Sequence, residues 1–123
     1  MNLNEYQDKA MSTCMDSCDN YSYMMDNLVA EVGEFSGKVA KAKRKKELRF
    51  NEEGNIVWNP DVPFERFVEF YDEVKKEAGD ILWQLSGLCR VFGWDLESVA
   101  QMNLDKLASR KQRGVIVGNG DNR

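Results

Sequence analysis

The chain has 123 residues, enough for one domain around one core, with 17 basic against 21 acidic side chains and a net charge of −4. That balance argues against a general nucleic-acid binder, which needs a basic excess, and no apolar run approaches the roughly 18 residues of a membrane span. Histidine is absent, and the three cysteines (Cys14, Cys18, Cys89) lack CxxC spacing; His-based catalysis, a zinc site and a disulfide framework are all disfavoured, and the thiols read as reduced and partly buried.

In chain order, Asn4 followed by Gln7 reads as a capping box that opens a first helix running to about Ser17. The polar start holds no secretory signal, so a cytoplasmic location is expected. A second helix should run from Tyr21 to the basic run 41–46, with Met25, Leu28, Val32, Phe35, Val39 and Ala42 as its apolar line. The period fails over residues 48–63, where a turn signal between two short apolar pieces predicts a loop or small hairpin. A third helix follows Pro63 on the line Phe64, Phe67, Tyr71, Val74, Ala78, Ile81, Leu85 and Leu88, and Phe92-Gly93-Trp94 closes it. Asp95 caps a fourth, with Leu96, Ala100, Leu104 and Leu107 on one face; residues 114–123 are Gly- and Asn-rich and irregular. The expectation is an all-α, four-helix-type bundle with an irregular or hairpin-like insert between helices 2 and 3.

Two segments share one layout. Residues 28–35 (LVAEVGEF) and 74–81 (VKKEAGDI) both read apolar-x-x-Glu-x-Gly-acid-apolar. Each sets two carboxylates three residues apart, hence on one helix face. Glu31 and Glu77 interrupt apolar stripes, where an unpaired charge is costly. Neither has a Lys or Arg three or four residues away in the chain. Like charges at such spacings cost roughly 0.2–0.5 kcal/mol each, and a divalent cation would turn that repulsion into coordination. Oxygen ligands alone point to Mg²⁺, with Mn²⁺ the alternative. The candidate metal ligands are therefore Glu31, Glu34, Glu77 and Asp80. Gly33 and Gly79 weaken their helices by about 1 kcal/mol each relative to Ala, which suggests close approach of another helix or a ligand. The competing reading is a solvated acidic face, with Glu34 paired to Lys38 and Lys76 to Asp80.

These residues resemble the ExxE…ExxD signature of the MazG-like all-α nucleoside triphosphate pyrophosphohydrolases. The likeness extends to Tyr6-Gln7, to Gly79-Asp80-Ile81-Leu82-Trp83, to Asn103-Leu104-Asp105-Lys106-Leu107 with Arg110, and to the ending from Arg113-Gly114 through Gly118-Asn119-Gly120-Asp121-Asn122-Arg123. It makes the chain a single MazG-like domain over 1–123, with a longer middle than the family usually has. The resemblance implies cleavage of a (d)NTP to the monophosphate and pyrophosphate, and helical subunits that pair as dimers or tetramers. In that setting a water attacks the α-phosphorus, a carboxylate takes its proton (Glu34 is the candidate, with the other three acids open), and Asn103, Lys106 and Arg110 are candidate phosphate contacts.

Other features have plainer readings. Trp83 is close enough to Asp80 to stack on a base, but a core or interface role is the default. The basic run 41–46 is a solvated helix end that complements the macrodipole, so stable nucleic-acid binding is not expected. The tail either closes over phosphates through Arg113 or Arg123 or stays disordered. Two other functions stay open: a non-catalytic helical module that binds a protein partner, and the same fold acting on another nucleotide derivative.

Overall fold

Three of the four α-helices begin where an orphan backbone N–H finds a side-chain acceptor. The computed structural model describes residues 1–121. Asn2 caps α1 (Leu3–Met11) by accepting from Glu5 N at 2.8 Å. Asn20 caps α2 (Tyr21–Arg44) through Tyr23 N at 2.9 Å, and Asp95 caps α4 (Leu96–Arg113) through Ser98 N at 3.0 Å. The helix α3 (Phe64–Val91) starts behind Pro63, whose ring fixes φ at −55°. Gly114, at φ 70°, ends α4 in the left-handed conformation.

The predicted all-α architecture is present. A two-stranded antiparallel ribbon, β1 (Leu48–Phe50) and β2 (Ile56–Trp58), joins α2 to α3 in the register Leu48↔Trp58, Arg49↔Val57, Phe50↔Ile56. That ribbon is the hairpin expected in the 48–63 region. Residue pairs along α2 and α3 step in opposite directions: Ala42 packs near Phe70, Lys38 meets Glu77, and Met24 meets Gly87. The two long helices are therefore antiparallel, and their pairing is the main one in the fold. Helix α1 lies against both α3 and α4. Among the described residues no helix is long and apolar enough to cross a membrane.

At the ribbon end, Ala42, Leu48 and Phe70 form a buried cluster flanked by Val39, Trp58 and Val74. Trp58 meets the Phe67 ring edge-on at 5.2 Å and lies at 5.4 Å from the Phe70 ring. Burying a side chain such as Phe70 contributes roughly 1.5–3 kcal/mol. Across this end, Arg66 reaches from α3 to Glu47 at 2.7 Å, to Glu69 at 3.1 Å and to Glu73 at 3.4 Å. The three cysteines are free, with Cys18 and Cys89 buried.

Several expectations need correction. Helix α1 ends at Met11, not near Ser17, and a single 3-10 turn at Asp16–Cys18 follows. Asn4 and Gln7 are not a capping box. Asn4 Oδ1 accepts from Glu97 N, while the buried Gln7 side chain donates to Ser86 O and Trp94 O and accepts from Leu96 N. These polar groups tie α1 to α3 and α4, and the N–H groups of Leu96 and Glu97 that they accept from lie in the first turn of α4, where no intrahelical acceptor exists. The apolar lines are also less buried than a core requires: Phe64 is 72 % exposed, Tyr71 54 %, Leu104 59 % and Val32 50 %. Among the described residues those faces stay half-exposed or more. Gly33 and Gly79 have no neighbour within 4 Å of a Cβ, so no helix of this chain approaches them. The close approach is at Gly87, where a Cβ would overlap the fully buried Met24.

Candidate metal and nucleotide site

The antiparallel register brings the two acidic segments face to face midway along α2 and α3. Glu31, Glu34 and Glu77 each offer a carboxylate oxygen within 4.8 Å of the others. Glu31 and Glu77 are half-buried and Glu34 is exposed. Glu31 Oε2 and Glu77 Oε2 are buried and have no hydrogen-bond partner among the described residues. Buried acceptors of this kind normally find a donor or an ion.

Loss of solvent pushes the Glu31 carboxyl above the ordinary carboxylate value, and the charges of Glu34, Asp80 and Glu77 push it the same way. Asp80 stands outside the close trio, but its charge reaches Glu31. It also reaches Tyr6 on α1, whose phenol is raised first by burial and then by Asp80. Tyr6 thus marks the side on which α1 borders the acids.

The ion pairs differ from those of a solvated face. Lys38 does not pair with Glu34 one turn away; its Nζ lies 3.5 Å from Glu77 Oε1 across the helix interface. Lys76 pairs with Asp72 at 3.1 Å rather than with Asp80. Lys38 is a site residue that the linear sequence does not reveal. The available signal was its position seven residues after Glu31, two turns along the same face.

Oxygen donors alone, two of them buried without partners, fit a hard divalent cation. Glu31, Glu34 and Glu77 could hold one, and the charge of Asp80 reaches the same group. A cleft of about 560 Å³ opens from Glu34 and Glu77 and runs past Lys38 to Lys41, Lys45 and Arg66.

The other sequence candidates sit elsewhere. Lys106 Nζ and Arg110 Nη2 both bind Asp121 Oδ1 at 2.9 Å, and Arg110 also donates to Gly120 O at 3.3 Å. The tail therefore folds back on α4 at this point. Asn103 is exposed on the same helix. Trp83 Nε1 donates to Ala10 O and Thr13 Oγ1, both at 3.0 Å, which makes it a tie between α3 and the end of α1. Arg123 lies outside the described residues.

A family model described as the MazG nucleotide pyrophosphohydrolase domain matches residues 19–115, a span that contains all four acids. A relative described as the Gene 37 protein of Mycobacterium phage L5 is 35% identical over the full length of both chains. No solved structure matches.

Proposed function

We propose a function from the premise that this chain belongs to the MazG nucleotide pyrophosphohydrolase family: it hydrolyses a nucleoside or deoxynucleoside triphosphate to the monophosphate and pyrophosphate. The observation that carries this is that Glu31 Oε2 and Glu77 Oε2, from α2 and α3, are buried without a hydrogen-bond partner among the described residues and belong to a three-carboxylate group. Mg²⁺ is the proposed cation, held by Glu31, Glu34, Glu77 and Asp80. When bound, such a cation neutralises phosphate charge and lowers the pKa of a nearby water.

The chain supplies the rest. Glu31 and Glu77 are half-buried, each with one oxygen out of solvent. Glu34, exposed at the edge of the group, takes the proton lost by the water that attacks the α-phosphorus as pyrophosphate leaves. Lys106 and Arg110 converge on a single carboxylate oxygen of Asp121, which supports reading them, with Asn103, as an anion clamp. The exposed apolar faces of α3 and α4 support pairing of two or four copies. The domain is read as one unit over 1–123, working in the cytoplasm where nucleotides are made and used.

The test is a panel of NTPs and dNTPs with Mg²⁺ and with EDTA. Pyrophosphate release that disappears in EDTA and in Asp80→Asn is expected. Turnover of no nucleotide, with no Mg²⁺-dependent rise in melting temperature, would refute the proposal.

A further inference from the structure

The cleft beside the acids is lined by Glu34, Glu69, Glu73 and Glu77 and by Lys38, Lys41, Lys45 and Arg66. Glu69 and Glu73 are paired with Arg66, and Glu77 with Lys38, which leaves Lys41 and Lys45 as the lining cations without an ion pair among the described residues. Residues 38, 41 and 45 follow at spacings of three and four, so they form one row on α2. The row runs about 10 Å along the axis at 1.5 Å per residue.

The facing cation, Arg66, is already committed to Glu47, Glu69 and Glu73. Lys41 and Lys45 have no ion pair or side-chain hydrogen bond among the described residues. Their charges help to lower the pKa of Glu47, but Arg66 is the main cause of that shift. Like charges four apart on a helix repel. The macrodipole explains cations in the last turn of α2, and Glu77 explains Lys38; neither explains why Lys41 and Lys45 line a cleft that opens onto carboxylates. A cation-loaded acidic group followed by a row of lysines complements a linear polyanion that starts at the acids and extends away from them.

We propose that Lys41 and Lys45, with Lys38 as the inner member, form a lane for the β- and γ-phosphates, so that the leaving pyrophosphate lies along α2 and the nucleoside points away from the ribbon. The proposal rests on the pyrophosphohydrolase reading for its substrate, but the lane can be tested without turnover. Lysine is a suitable residue, because an ammonium meets phosphate oxygens from many directions without a fixed fork.

The probe is tripolyphosphate, titrated calorimetrically in saturating Mg²⁺ against the wild type, Lys41→Gln/Lys45→Gln, and Lys43→Gln/Lys46→Gln. The last pair lines a separate hollow on the far side of the same helix end and controls for net charge. The first variant should bind tripolyphosphate about tenfold more weakly and raise KM for a triphosphate by a similar factor, with kcat within about twofold of wild type. The control variant should match the wild type in all three. Equal weakening in both variants, or none in either, overturns the lane. So does tight binding of a single-stranded oligonucleotide through Lys41 and Lys45 with tripolyphosphate ignored. If no nucleotide is hydrolysed yet tripolyphosphate binding depends on Lys41 and Lys45, the lane stands and the pyrophosphohydrolase reading falls. Hydrolysis with lysine-independent tripolyphosphate binding overturns the lane alone.

Discussion

Residues 28–35 and 74–81 are nearly the same string, yet the fold treats them differently. Glu77 has Lys38 Nζ at 3.5 Å, whereas Glu31 faces Glu34, Asp80 and Glu77 and has its carboxyl pKa raised. The second acids differ as well: Glu34 joins the close trio, and Asp80 stands to one side toward Tyr6. A repeated motif supplies the same ligand types twice, but α1 and Lys38 border the two copies unequally. The difference teaches that one glutamate has a cation of the protein beside it while the other has only acids around it.

The largest expected effect is on activity. Glu31→Gln and Glu77→Gln should each lower kcat/KM for the best triphosphate by at least about a hundredfold, since even outer partners of metal ligands are worth 10–100-fold. Steady-state pyrophosphate release measures this. If only one variant loses activity, the two copies are not joint ligands.

The glycines give the next contrast. Gly87→Ala pushes a methyl into Met24 and should destabilise by roughly 1–3 kcal/mol. Gly33→Ala and Gly79→Ala enter open space and should stabilise by roughly 0.5–1 kcal/mol each. Chemical denaturation of the metal-free protein separates the two signs. A loss at Gly33 or Gly79 would mean that another subunit covers that position.

The metal-free protein should also register the inequality of the glutamates. Glu31→Gln relieves acid repulsion and should stabilise by on the order of 0.5 kcal/mol; Glu77→Gln strands Lys38 and should not. Equal melting temperatures in EDTA would erase the distinction.

The smallest effect is in the pH profile. The raised pKa of Glu31 favours the folded state below its ordinary value of 4.5, and that contribution is lost as pH climbs through the raised value. Glu47 acts in the opposite sense: Arg66 lowers its pKa, so its contribution is present above 4.5 and is lost as pH falls through the lowered value. In EDTA, Glu31→Gln should flatten the loss of melting temperature on the rising side, and Glu47→Gln the loss on the falling side.

Much of this arrangement could be read from the residues. The doubled acidic segment, the break at 48–63 and the Asp95 cap depend on local periodicity and capping chemistry, which a chain carries in its order. Lys38 could not be assigned to Glu77, because that contact exists only once two helices choose a register. Asn4 and Gln7 misled for a related reason: the side chains that cap a helix locally are the same ones that satisfy distant backbone groups. The apolar lines located the apolar faces correctly, but Phe64, Tyr71 and Leu104 remain exposed because a period says which face is apolar and not what covers it. Gly87 carried no signal beyond being a glycine in a helix, since its reason, Met24, lies on another helix.

The most direct measurement is Mn²⁺ binding followed by electron paramagnetic resonance on the wild type, Glu31→Gln and Glu77→Gln, with Mg²⁺ as competitor. The account predicts that the wild type binds Mn²⁺, that Mg²⁺ displaces it, and that either substitution weakens binding by about tenfold or more. Mn²⁺ binding that is unchanged in both variants would contradict it.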